Sequence, residues 1–123
     1  MDIKFDNKTP IYLQIMDLIK KDIIKGKLKE GDKLPSVREL SSDLKVNPNT
    51  IQRSLRELER EGLTYTQRGK GRFVTEDKGD IEKLKKEVAK EHIESFIKGM
   101  KQIGFNSKDI IKMVKDNVEK EEN

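Results

Sequence analysis

The chain has 123 residues, a formal net charge of +4 and a charged fraction of 41%, and aromatic residues make up only 5%. This length suits one compact domain plus an appendage around a modest aliphatic core, and the absence of cysteine excludes disulfides and thiolate metal sites. Because no apolar run approaches the roughly 18 residues of a membrane-spanning helix and the N-terminus does not resemble a signal peptide, we expect a cytoplasmic protein with no membrane partner.

The first predicted helix follows Thr9-Pro10, which is typical of a capping residue and a first-turn proline. Gly26 ends it. Its apolar positions recur at helical spacing: Ile11, Ile15, Leu18, Ile19 and Ile23. Tyr12 is expected on the same face. A short connector with a turn at Gly31-Asp32 leads to Leu34-Pro35.

Two short helices separated by a tight turn are predicted next. Ser36 and Glu39 form a capping-box pattern at the start of the first, while Asn47 and Pro48 are typical of an N-cap and a first-turn residue of the second. Gly62 ends the second helix. The predicted buried faces are Val37, Leu40 and Leu44 in the first helix, and Ile51, Leu55 and Leu58 in the second.

The other face of the second helix is polar and basic, with Asn49, Thr50, Gln52, Arg53 and Arg56. Such side chains can hydrogen-bond base edges and phosphates in a major groove. The pattern therefore predicts a helix-turn-helix whose second helix reads DNA. The alternative is a well-capped helix in a bundle that binds no nucleic acid.

Two runs rich in β-forming residues, 63–67 and 72–75, flank Arg68-Gly69-Lys70-Gly71. They predict a hairpin with a basic tip formed by Arg68, Lys70 and Arg72. A hairpin directly after a helix-turn-helix is a wing that can rest on the DNA backbone or enter the minor groove. The glycines could instead belong to a solvated turn, and the spacing of a Walker phosphate loop is absent.

These motifs resemble the winged-helix domain of GntR-family transcriptional regulators over roughly residues 9–76, and the opening Pro10-Ile11-Tyr12 with the short tail resembles the YtrA subfamily. The resemblance implies DNA contacts by Arg38 and, around the recognition helix, by Asn47, Asn49, Thr50, Gln52 and Arg53. At the wing tip it implicates Arg68 and Gly69, to which the basic pattern of the tip adds Lys70.

Four positions depart from the family pattern. Many relatives carry Ser or Thr at the position of Asn47 and an arginine at those of Pro48 and Gln52. Those arginine contacts cannot be transferred, although Arg53 can partly substitute and Gln is suited to pair with adenine. The turn often holds glycine where this chain has Lys45. A left-handed backbone there would cost about 1 kcal/mol relative to glycine.

The remaining residues, 79–123, predict two amphipathic helices. The first carries an apolar stripe from Asp80 to Gly104, and the second, capped by Ser107, is expected to bury Ile110, Ile111, Val114 and Val118 and to fray from Glu119 to Asn123. Two helices cannot enclose a core, so the stripes must pack on the winged domain, on a second copy of the chain or on a membrane surface. Residues 1–78 have 17 basic and 13 acidic side chains and the tail has 10 of each, which disfavours a membrane surface. A homodimer through residues 80–118 fits better, because two copies would present two recognition helices to two half-sites.

The sequence thus predicts a mainly α fold with a small β-hairpin: a winged helix-turn-helix DNA-binding domain over residues 1–78, then a two-helix dimerisation tail over 79–123. The function expected is a transcriptional regulator, a repressor binding a palindromic double-stranded DNA operator as a homodimer. If the protein has a small-molecule effector, which the sequence does not name, that compound would bind between the tail helices or at the domain junction. No cofactor, metal or catalytic site is expected, because the one histidine and scattered carboxylates form no catalytic arrangement. The alternative is a winged-helix protein-binding adaptor without sequence-specific DNA recognition.

Overall fold

The computed structural model describes residues 1–122, which form two compact units, Met1–Lys85 and a second that begins at Lys86. Within the described residues the helices are α1 (Ile11–Lys25), α2 (Val37–Leu44), α3 (Pro48–Arg60), α4 (Lys78–Gln102) and α5 (Ser107–Glu122), and the strands are β1 (Thr64–Gln67) and β2 (Gly71–Val74). The predicted fold class, a mainly helical chain with one β-hairpin in winged helix-turn-helix order, is confirmed.

The start of α1 differs from the predicted cap. Pro10 occupies the N-cap position and no side chain caps the helix. The Thr9 carbonyl instead accepts a hydrogen bond from the buried Gln14 amide at 2.7 Å, and Asp6 Oδ1 accepts from the Thr9 backbone N–H at 3.0 Å. The segment before α1 is therefore held by a side chain one turn inside the helix. The predicted end at Gly26 is confirmed by its left-handed φ of 83°.

The ends of α2 and the start of α3 are formed by capping signals in the sequence. Ser36 Oγ accepts from the Glu39 N–H, and the Glu39 carboxylate accepts in return from the Ser36 N–H. Lys45 has φ 55° and ends α2 in the left-handed conformation. The Asn47 side chain then caps α3, whose first residue is Pro48. Both short helices therefore begin and end at fixed positions.

The core of the first unit lies where α1, α2 and α3 meet. Its least exposed large side chains include Ile15, Ile19, Leu40, Ile51, Leu55 and Leu58, each at most 1% exposed. Burying an aliphatic side chain of this size contributes about 1.5–3 kcal/mol. Ser54, which is fully buried, donates a hydrogen bond of 2.9 Å to the Tyr12 carbonyl. This bond fixes the recognition helix α3 against α1.

The wing is an antiparallel hairpin in which Thr64 pairs with Val74 and Gln67 with Gly71. The connector before α2 also pairs with it, which the sequence did not predict: Leu34 N–H donates to the Arg72 carbonyl and Val74 N–H to the Asp32 carbonyl, both at 2.8 Å. The connector therefore supplies a short third strand segment that anchors the wing.

The α4 helix begins two residues earlier than the predicted Asp80, because Asp77 Oδ1 accepts from the Gly79 N–H at 2.8 Å and serves as a cap. The first unit continues to Lys85 and includes the buried Leu84. The division into units thus falls within α4, seven residues after the predicted domain boundary at 78. Among residues 1–122, no helix combines the length and apolar character required to cross a bilayer.

In the second unit, α5 differs from the prediction in three ways. Asn106, not Ser107, supplies the capping oxygen, accepting from the Asp109 N–H at 2.9 Å. The helix continues through Glu122, beyond the predicted fraying point, while Asn123 lies outside the described residues. Ile110 is buried, but three predicted core residues are exposed: Ile111, Val114 and Val118, at 69%, 40% and 52%. A pair of helices leaves such residues uncovered in one chain.

Candidate nucleic-acid interface

The first turn of α3 lies at the surface of the first unit. Asn47 and Asn49 are exposed, and Thr50 and Gln52 are half-buried. The Asn47 side-chain oxygen accepts from the Asn49 N–H at 2.8 Å, so capping uses its oxygen and leaves its amide nitrogen available. The four predicted contact residues at the start of α3 therefore share one accessible helix end.

The charge of α3 is divided along its length. Residues 48–56 contain two arginines and no carboxylate. The acidic residues near its C-terminal end are engaged: Glu57 pairs with Arg60 at 3.2 Å, and Glu61 pairs with Lys20 at 3.1 Å. The N-terminal half of the helix is therefore the half that can approach a phosphate backbone without repulsion.

Arg53 is exposed, and its guanidinium lies over the ring of Tyr12, 3.7 Å from the ring centroid. This cation–π contact restrains a side chain that the sequence assigned to DNA recognition. The sequence placed Tyr12 on the apolar face of α1 and gave no sign of the contact. The two residues are 41 positions apart, so only the packing of α1 on α3 brings them together.

Arg38 is the second residue of α2, and its side chain is exposed. Within residues 1–122 it forms no ion pair. Arg56, one turn beyond Gln52 on α3, is exposed too. Both guanidinium groups are thus available to an anionic partner. Sequence analysis named Arg56 on the polar face of α3 but did not include it among the assigned DNA contacts.

The wing tip presents Arg68, Gly69 and Lys70, all exposed. Lys70 N–H donates to the Gln67 carbonyl at 2.9 Å and closes the turn, and Gly69 has φ 79°, which favours glycine. At the base of the wing, Thr66 Oγ1 donates to Glu59 Oε1 on α3 at 2.6 Å. This bond ties the wing to the recognition helix.

The outer face of the wing carries a stacked pair, Tyr65 and Phe73, with ring centroids 5.7 Å apart. The Tyr65 hydroxyl donates to Glu76 Oε1 at 3.0 Å. Desolvation, this hydrogen bond and the charge of Glu76 together raise the pKa of Tyr65 above its ordinary value of 10.0. The stack and the bond stiffen the strands that carry the basic tip.

Arg72 does not share the position of the tip cations, although the sequence pattern placed it with them. It is half-buried, and its Nε atom is fully buried without a hydrogen-bond partner among the described residues. The strand register explains this, because Arg72 pairs with Thr66, whose side chain binds α3. Paired residues project from the same side of a sheet, so Arg72 faces the helices.

Comparison with known proteins identifies the first unit. The model of the gntR family of bacterial regulatory proteins matches residues 11–74. The chain is 44% identical to the HTH-type transcriptional regulator YhcF of Bacillus subtilis (strain 168), over 94% of this chain and 95% of YhcF. It is also 44% identical to the HTH-type transcriptional repressor YtrA of the same strain, over 74% of this chain and 71% of YtrA. These proteins are transcriptional regulators and not enzymes.

Solved structures agree with the sequence matches. A GntR family transcriptional regulator from Listeria monocytogenes superimposes with a TM-score of 0.84 at 48% identity, covering 91% of this chain and 98% of that one. AraR(DBD) in complex with operator ORR3 superimposes with a TM-score of 0.54 at 29% identity, over 61% of this chain and 90% of that domain. The chain therefore belongs to the GntR family of bacterial regulatory proteins.

Proposed function

We propose that this protein is a sequence-specific repressor that binds a palindromic DNA operator as a homodimer, in the cytoplasm where its DNA target would lie. The main support for this proposal is that the N-terminal half of α3 is accessible and contains no carboxylate. In this proposal Asn47, Asn49, Thr50, Gln52 and Arg53 face base edges and nearby phosphates. Arg38 on α2, and Arg68, Gly69 and Lys70 on the wing, contact the backbone or adjacent groove. The operator complex formed by AraR supports this use of the fold.

A homodimer through residues 80–118 would present two recognition helices to two half-sites. The support lies in the second unit, where α4 and α5 line an apolar groove of about 530 Å³ that includes Ile93, Phe96 and Val114. These three side chains are 57%, 45% and 40% exposed in one chain. A second copy would cover them, and the equal numbers of acidic and basic residues in the tail impose no net repulsion.

Repression in this scheme is passive. Basic side chains release counterions from the phosphates, a few side chains read bases, and the bound dimer occludes the promoter. An effector would act in the groove between α4 and α5, where it would compete with dimer formation. Such a compound would lower operator affinity without touching the DNA-contacting surface.

Selection of bound fragments from genomic DNA tests the proposal. We expect enrichment of sequences with two inverted half-sites, spaced by one helical turn or a multiple of it. Retardation of the selected fragment should persist against excess unrelated DNA and weaken as salt increases. Arg38→Ala or Arg53→Ala should weaken specific operator binding by about 1–3 kcal/mol where the arginine pairs with a base.

The same experiment separates this function from that of a protein-binding adaptor. An adaptor would show no sequence preference in the selection and no difference between selected and unrelated fragments. Unchanged affinity in both arginine variants would contradict the assignment of the recognition surface. A fragment with a single half-site bound by one chain would contradict the dimer and leave sequence-specific binding intact.

A further inference from the structure

A cleft of about 400 Å³ lies between the inner side of the wing and the start of α2. Its walls are largely aliphatic, from Leu34, Val37 and Leu55, while three cations line its edge: Lys33, Lys70 and Arg72. No aspartate or glutamate lines it. A cleft with apolar walls and charges of one sign strengthens the field that an incoming anion meets.

Of the three cations in the cleft, Arg72 is the one that we expect to bind a ligand. It forms no ion pair within residues 1–122, and its buried Nε atom has no hydrogen-bond partner there. A buried donor without a partner costs about 1–3 kcal/mol, and more when it carries charge. An oxyanion in the cleft would offset the charge of the guanidinium, which can offer two parallel N–H donors to phosphate oxygens.

Lys33 supports the same site from the connector strand. Its side chain lies across the wing backbone, since a Cβ atom at Gly71 would come within 3.0 Å of Lys33 Cε and 3.8 Å of Nζ. Gly71 has φ 120°, a backbone conformation that favours glycine. Lys33 lines the cleft and has no ion-pair partner in the described part of the chain.

We propose that this cleft binds one phosphate of the DNA backbone through Arg72, with Lys33 as the supporting cation. The proposal rests on the proposed function and deepens it. The occupant is a DNA phosphate because Gly69 and Lys70 of the wing tip line the same cleft, and Val37 in its wall directly precedes Arg38. A DNA strand that lies between the recognition helix and the wing would therefore pass the opening of the cleft. The contact carries no base information and fixes the position of the wing.

Arg72→Gln tests the site, with affinity for the selected fragment and for unrelated DNA measured across a salt series. We expect affinity to fall about threefold to tenfold on both DNAs, and the slope of log affinity against log salt to fall by about 0.9 per lost phosphate contact. Arg72→Lys should retain the slope but not the full affinity, because an ammonium cannot make a bidentate contact.

Arg60→Gln is the matched control, since Arg60 lies at the C-terminal end of α3 and pairs with Glu57. It should bind like the wild type. Thermal unfolding of each variant monitors folding. If Arg72→Gln unfolds, Lys33→Gln provides the second reading and should lower the salt slope in the same direction.

An unchanged slope and affinity in a folded Arg72→Gln variant would overturn the proposal while leaving sequence-specific binding in place. If the wild type binds no DNA, both the proposed function and this site are refuted. Inorganic phosphate at matched ionic strength distinguishes a free anion: if it raises the melting temperature of the wild type but not of Arg72→Gln, and both bind DNA equally, the cleft holds free phosphate and the DNA contact is refuted.

Discussion

Arg53, a residue of the proposed interface, is restrained by its packing against Tyr12. A free arginine loses rotamer entropy when it binds, at a cost of about 0.5–1.5 kcal/mol for an immobilised side chain. Here the Tyr12 ring, 3.7 Å from the guanidinium carbon, already holds it before DNA arrives. In the proposed interface the tyrosine would therefore act on binding through Arg53, without touching DNA itself.

Replacing Tyr12 by Leu should weaken operator affinity about threefold, because an exposed cation–π contact contributes about 0.5–1 kcal/mol. Fluorescence anisotropy with the selected fragment measures this effect. Tyr12→Phe is the control, since it keeps the aromatic face and should bind nearly as the wild type does. Equal losses in the two variants would show that the ring does not position Arg53.

Tyr65 gives a second prediction at the residue scale, through pH. Its raised pKa means that the stability supplied by the bond to Glu76 is complete below pH 10.0 and is lost as pH rises through the raised value. In a Tyr12→Phe background Tyr65 is the remaining tyrosine of the two, so ultraviolet absorbance of its phenolate reports on it alone.

The phenolate of that variant should appear above pH 10.0 in the folded protein, and Glu76→Gln should move the transition down towards the ordinary value, because the carboxylate charge is gone. Titration at or below the ordinary value with Glu76 present would contradict the bond. The unfolded variant in denaturant supplies the reference curve.

At the scale of elements, the tight turn between α2 and α3 contains a residue with a strained backbone conformation. Lys45 has φ 55°, and it is the one non-glycine residue with positive φ in the described chain. Val46 N–H donates to the Ser41 carbonyl at 3.2 Å, so the turn keeps the hydrogen bonding of a glycine-ended helix. The chain thus accepts a strained residue to hold the angle of the helix-turn-helix.

Lys45→Gly should raise the free energy of unfolding by up to about 1 kcal/mol, since relief of the left-handed strain exceeds the added entropy of the unfolded chain. Urea unfolding measures the change. Lys45→Ala removes the same charge but retains a Cβ atom, so it should give no such gain. An equal gain in Lys45→Ala would attribute the effect to charge and not to backbone conformation.

The elements that the sequence predicted correctly are those defined by local signals. Ser36 with Glu39 and Gly26 act within one or two turns of their own positions, so spacing alone located the helices. Features that depend on residues distant in sequence were missed. The hydrogen bond from Leu34 to Arg72 and the partial burial of Arg72 depend on pairing between distant segments, which no local pattern specifies.

Local signals also failed where two candidates were adjacent. Ser107 and Asn106 both can cap a helix, and the backbone selects Asn106. At the N-terminus, Thr9 is a good capping type, but Gln14 binds its carbonyl. Sequence could name the residue types required at these ends, while the choice between neighbours was decided by geometry.

At the scale of the whole molecule, the two units differ in their charge and in how much apolar surface they expose. The first unit has a buried core of its own and most of the positive charge, and the second exposes a large part of its apolar residues. Exposed aliphatic side chains on a pair of helices are costly in water. In the proposed homodimer the second unit would therefore supply the free energy for association, while the first would supply the charge for DNA.

Phe96→Lys should convert the proposed dimer to a monomer, because it places a charge in the middle of the apolar groove between α4 and α5. Light scattering after size exclusion measures the mass. Operator affinity should fall about tenfold to a hundredfold, since the second half-site contact ceases to be intramolecular.

Ser95→Lys is the matched control, because it adds the same charge to the neighbouring exposed position on α4, away from the groove. It should remain dimeric and bind as the wild type does. A dimeric Phe96→Lys variant with the helical content of the wild type would place the dimer contact elsewhere. A monomeric variant with undiminished operator affinity would instead show that one chain suffices for recognition, because association and affinity would then be uncoupled.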